Sequence, residues 1–119
     1  MPKRADTAAL TDIVEAITRI QRYVGQASLA EFLEKLETQD AVVRNFEVIG
    51  EAVKNLSDSL RKRHQHVEWV KIAGMRDRLI HHYFSVDWDV LWNAMRDNLP
   101  QLKEQVERIL REQNEAETK

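Results

Sequence analysis

Cysteine is absent from this 119-residue chain, and glycine and proline are scarce, at 3 and 2 residues. Without cysteine there is no disulfide scaffold, no thiolate metal site and no cysteine nucleophile. So few turn-formers exclude an all-β sandwich, which needs a turn at the end of every short strand. The N-terminal residues Met1-Pro2-Lys3-Arg4-Ala5-Asp6 lack the apolar core of a signal peptide, and no stretch approaches the roughly 18 apolar residues of a membrane span. What is present is 43% hydrophobic and 32% charged residues, a balance too apolar for a disordered chain. These features predict a cytoplasmic single domain over residues 1–119, with no membrane association and tails frayed at about 1–5 and 112–119.

The hydrophobic residues recur every three or four positions, the period of a helix buried on one side. Leu10, Ile13, Val14, Ile17, Ile20 and Val24 form a first stripe, with Asp6 or Thr7 as its cap and Gly25 as its stop. A short helix follows, capped by Ser28 with Glu31 three residues on, and with Phe32, Leu33 and Leu36 facing inward. A long third helix starts at Thr38 or Asp40 and carries Val42, Val43, Phe46, Ile49, Val53, Leu56 and Leu60. Gly50 lies inside that stripe at a cost of about 1 kcal/mol in helix propensity, which a close approach to a helix or to a second chain would offset.

Arg61 to Val67 reads as a polar connection. A fourth helix runs from about Glu68 through Trp69, Ile72, Met75, Leu79 and Ile80, and a fifth, capped by Asp87, carries Trp88, Leu91, Trp92, Met95 and Leu99. Pro100 kinks or restarts this helix before Leu102, Val106, Ile109 and Leu110. The expected fold class is all-α, an antiparallel four-helix bundle with an additional short helix.

Charge is unevenly spread. The net charge is −2, yet residues 61–82 hold six Lys and Arg against two acidic side chains, and all four His (64, 66, 81 and 82). This suggests an anionic ligand such as phosphate or RNA, although a solvated basic helix face gives the same count. Within the window, Arg76-Asp77-Arg78-Leu79-Ile80-His81-His82-Tyr83 groups two Arg, two His, an Asp and a Tyr. Cleaving RNA through its own 2′-hydroxyl needs a base, an acid and a cation for the charge building on phosphorus, and no metal. Histidine titrates near neutrality and arginine clamps phosphoryl oxygens.

Five residues separate Arg76 from His81, about 140° around an ideal helix, whereas Arg76 and Tyr83 are nearly eclipsed. Either Arg76 bends around, or the helix ends near His81, or a second copy completes the site. The last is favoured, because a groove between two identical helices doubles every group. Asp77 is expected to orient His81 or Arg78. Asp77 and His81 alone make too few ligands for a metal. Trp69, Trp88 and Trp92 sit at stripe positions and read as core, and His64 and His66 as loop residues.

The string from Gly74 to Phe84 resembles the signature of HepT toxins, a branch of the HEPN ribonucleases. Arg76, His81 and Tyr83 match, in order, their motif of Arg, four residues, His, one residue, Tyr. Val43 to Ala52 resembles the family's third-helix block, and Leu99-Pro100-Gln101-Leu102 also matches. His82 departs from the commonest form, which has Gly there.

The resemblance implies a homodimeric helical bundle whose two motifs face each other across a cleft. It implies a metal-independent ribonuclease without cofactor, with Arg76 and His81 catalytic and Asp77, Arg78 and His82 supporting. It further implies the toxin half of a toxin–antitoxin pair, cutting tRNA or mRNA. The partner would be an MntA-like nucleotidyltransferase that silences the toxin by transferring AMP to Tyr83. The alternative is a non-catalytic subunit that presents nucleotide or substrate to such a nucleotidyltransferase.

Overall fold

The computed structural model describes residues 2–81 and 87–118, with the side chains of 5–79 and 87–115. The fold is all-α, with no strand among the described residues. The helices are α1 (Pro2–Val24), α2 (Leu29–Leu33), α3 (Leu36–Lys54), α4 (Asp58–Arg63), α5 (Trp69–His81), α6 (Trp88–Asn93) and α7 (Leu99–Thr118), with a π-helical turn at Ala94–Asn98. None of them, over the described residues, is long and apolar enough to cross a membrane.

On α1, the stripe Leu10, Ile13, Ile17 and Ile20 is fully buried, each such side chain contributing about 1.5–3 kcal/mol through lost contact with water. The helix stops as expected at Gly25, whose φ of 54° is left-handed backbone that favours glycine. Its start differs from expectation. Helix α1 begins at Pro2, so Asp6 and Thr7 lie inside it and cap nothing there. Buried Asp6 instead accepts hydrogen bonds from the Ser57 N–H (2.8 Å) and hydroxyl (2.7 Å), and Thr7 donates to Gln113 Oε1 (2.9 Å). These bonds set the second turn of α1 against the segment after α3 and the end of α7.

Ser28 and Glu31 form the expected reciprocal cap on α2. Phe32 fills the one buried face of this five-residue helix, its ring 5.6 Å from that of Trp88 and 5.4 Å from that of Trp92. Leu33 and Leu36, expected inward, are exposed: Leu33 lies about 100° around α2 from Phe32, and Leu36 belongs to the uncapped start of α3. Neither Thr38 nor Asp40 caps α3, which begins at Leu36 without a side-chain cap. The sequence between α2 and α3 closes by another route. Buried Gln39 donates its amide to the carbonyls of Phe32 and Leu33, both at 2.9 Å, and so satisfies the end of α2.

Helix α3 ends at Lys54, earlier than its hydrophobic stripe implies, and Leu60 belongs to α4. Three of the seven residues of the expected polar connection from Arg61 to Val67 are therefore different: Arg61 to Arg63 are helical, on a helix capped by Ser57, whose hydroxyl accepts from the Leu60 N–H. Asp87 caps α6 as expected, accepting from Asp89 and Val90. Pro100 falls where the α-helix restarts, as the second residue of α7, which opens at Leu99. The helix passes from α6 to α7 through the π turn, in which the Leu99 N–H bonds to the Ala94 carbonyl five residues back. Helix α1 packs on α3 and α7, and α5 packs on α3.

Candidate functional site

The chemistry-bearing residues lie on α5, and a glycine on α3 decides how α5 sits. A Cβ built on Gly50 would meet Arg76 Cβ at 2.2 Å and its Cγ at 3.0 Å. The two helices therefore approach so closely at this point that α3 has no room for any side chain. Gly50 thus answers the expectation of a close approach, and its partner is a helix of the same chain.

Pressed onto α3, the Arg76 side chain is only 27% exposed, and its guanidinium is held from two sides. Its NH2 is 3.0 Å from Glu51 Oε2, on the residue after Gly50, and its NH1 donates to Asp77 Oδ1 at 3.2 Å. The same Asp77 oxygen accepts from Lys54 Nζ at 2.7 Å. The bond from Lys54, assisted by its charge and by Arg76 and opposed by partial burial, holds the Asp77 carboxyl below the usual carboxylate range. Arg76 also lines an open groove of about 310 Å³ with Asp12, Arg44, Glu47, Glu51 and Asn55. A guanidinium fixed at its stem, with hydrogen-bonding edges at a groove, is suited to bind a phosphoryl group.

Of the two partners expected for Asp77, the His81 side chain lies outside the described residues, and Arg78 is not the partner the structure gives it. Asp77 does not turn to Arg78: its Oδ1 is taken by Lys54 and Arg76, because the close approach at Gly50 brings the ammonium of α3 within reach. Arg78, two residues beyond Arg76 and about 200° around the helix, is exposed and has no ion-pair partner among the described residues. The structure thus joins Arg76 and Asp77 and leaves Arg78 apart. His81 is the last residue of α5, and its side chain, together with His82 and Tyr83, lies outside the described residues.

Glu51 and Lys54 escaped the sequence reading. The signal available was their position beside Gly50 on α3, one and four residues on, which puts them at the edge of any helix that uses the glycine. Trp69 and Trp92 are buried and Trp88 is half-buried, as core residues. The Trp69 indole donates to the His64 carbonyl at 3.0 Å. His64 and His66 follow α4 with their rings 5.9 Å apart, outside the Arg76 cluster. Burial pulls the His64 imidazole below its usual pKa, helped by Arg63 and His66 and opposed by Glu112.

Residues 13–109 match the family described as ribonuclease HepT-like. A probable ribonuclease HepT of Thermococcus cleftensis is 40% identical over 107 residues, which cover 90% of this chain and 97% of that protein. A candidate RNase of Methanocaldococcus jannaschii is 38% identical over 112 residues, 94% of this chain and 93% of its own. Another, from Caldanaerobacter subterraneus, is 43% identical over 94 residues, 79% of this chain and 83% of its own. No solved structure gives a significant match. The matched span runs from the stripe of α1 through Gly50 and Arg76 into α7, so the chain belongs to the HepT-like ribonuclease family.

Proposed function

We propose that this protein is a metal-independent endoribonuclease and the toxin of a toxin–antitoxin pair, acting in the cytoplasm as a homodimer of antiparallel four-helix bundles. The observation that carries this reading is Arg76, set against Gly50 and opening on a groove, five residues ahead of His81 in a chain of a ribonuclease family. In the reaction, a base takes the proton of the RNA 2′-hydroxyl, and that oxygen attacks the adjacent phosphorus. The 5′-oxygen leaves with a proton from an acid, so the products are a 2′,3′-cyclic phosphate and a 5′-hydroxyl. Arg76 stabilises the charge building on the phosphoryl oxygens, and His81 serves as the acid or base. Two copies of His81 across a dimer cleft supply both roles. Asp77, Arg78 and His82 support the site.

Control of this activity falls to a nucleotidyltransferase of the MntA kind that attaches AMP to Tyr83. Each AMP adds bulk and negative charge where an anionic substrate docks.

Arg76→Ala and His81→Ala are each expected to lower RNA cleavage by roughly 100-fold or more while leaving the helical circular dichroism intact. Cleavage at the wild-type rate by both variants overturns the assignment. Intact mass after co-expression with an MntA-like nucleotidyltransferase tests the control: increments of AMP that vanish in Tyr83→Phe support it. A protein that binds nucleotide, gains no mass and never cuts RNA is the non-catalytic subunit instead.

A further inference from the structure

Two carboxylates meet one guanidinium at this site. Glu51 lies 3.0 Å from one end of Arg76, and Asp77 accepts from the other at 3.2 Å. Arg76 and these two acids alone sum to −1, a balance that repels the phosphate Arg76 would bind. Beyond them, Arg44 lies 3.9 Å from Glu47 and offsets it, while Asp12 adds another acid on the groove. Among the described residues, one further cation reaches the cluster. Lys54 donates to the Asp77 oxygen that Arg76 also uses, and restores neutrality around the guanidinium.

The Lys54 and Asp77 side chains are 39% and 48% exposed. A wet pair of this kind contributes little to folding, so holding α3 and α5 together does not account for it. Its exposure instead leaves the ammonium on the solvent side of Asp77, at the flank of the Arg76 guanidinium.

We propose that Lys54 is a positioning residue for the phosphate-binding site: it offsets Asp77, so that Arg76 keeps its positive field for an RNA phosphate. This rests on the ribonuclease reading for the identity of the ligand, although the charge argument holds for any phosphodiester. The geometry is that of a relay through Asp77 Oδ1, in which the ammonium draws carboxylate charge away from the guanidinium. When a phosphate docks, it binds the free edge of Arg76 with Asp77 already compensated.

The test is binding of a 2′-O-methylated oligoribonucleotide, which cannot be cut because its 2′-oxygen carries no proton. At low salt, Lys54→Met is expected to weaken binding about tenfold, as loss of one nearby charge does. Lys54→Arg, which keeps the charge, is expected to stay within about twofold of wild type. Adding Asp77→Asn to Lys54→Met removes the uncompensated acid and is expected to restore most of the loss, which a merely structural lysine would not do. On a cleavable oligoribonucleotide, the Lys54→Met defect should fall mainly on KM.

Lys54→Met binding like wild type overturns the proposal. So does Lys54→Arg as weak as Lys54→Met, or a double variant no better than Lys54→Met alone. Thermal melts of all variants separate these results from unfolding. If the Lys54 pattern holds while the wild type cuts no RNA, the ribonuclease reading fails and the role of Lys54 stands.

Discussion

Replacing Gly50 with alanine would place a methyl group 2.2 Å from Arg76 Cβ, an atom fixed to the α5 backbone with no freedom to swing aside. Helices α3 and α5 must then separate. Overpacking of this kind costs about 1–3 kcal/mol, more than the gain of about 1 kcal/mol in helix propensity returns. Gly50→Ala is therefore expected to lower the urea midpoint, and to lower cleavage as well, since it moves Arg76 off Glu51. Gly74, on α5 itself, is the internal control. A Cβ there meets nothing within 4 Å, so Gly74→Ala is expected to raise stability by about 0.5–1 kcal/mol. If Gly50→Ala stabilises as much as Gly74→Ala, the close approach is not what keeps glycine at position 50. The sequence alone indicates that Gly50 needs a near neighbour, because nothing else offsets a glycine in a buried stripe. That the neighbour is Arg76 depends on a pairing across 26 residues, which helical periodicity does not contain.

At the scale of elements, periodicity and capping chemistry are legible where they act locally. Ser28 with Glu31, Asp87 before α6 and Gly25 after α1 each work within one turn of their own backbone. The reading fails where a side chain serves a different element. Asp6 resembles a cap for α1 and instead holds Ser57, which caps α4, and the start of α3 depends on Gln39 reaching back to α2. Gln39→Ala tests the second of these. It leaves the Leu33 carbonyl without its amide, at a cost of about 1–2 kcal/mol. The thermal midpoint should fall by several degrees, and hydrogen exchange should show α2 losing protection before α3. Equal loss across the whole chain would mean that Gln39 supports the core generally and does not tie α2.

For the molecule as a whole, residue types and their spacing carry the candidate site only halfway. Arg76 and His81 stand out because they share one segment, whereas Glu51 and Lys54 come from another helix and become partners only when α3 and α5 pack. The joint between α4 and α5 gives a measurement at this scale. His64 ends α4, and its carbonyl receives both the Val67 N–H and the Trp69 indole, so the imidazole rides on the connection that delivers α5 to α3. Its pKa lies below the ordinary 6.5, first because of burial and then because Arg63 and His66 lie close, with Glu112 opposing. A histidine whose folded pKa is depressed binds its proton more tightly in the unfolded chain. Its contribution is complete above the ordinary value and is lost as pH falls through that value toward the lowered one. Melting temperature is therefore expected to drop as pH falls below the ordinary histidine value of 6.5, and His64→Gln should flatten that part of the profile. An unchanged slope in His64→Gln would assign the loss to other groups and show that protonation of this joint does not strain the fold.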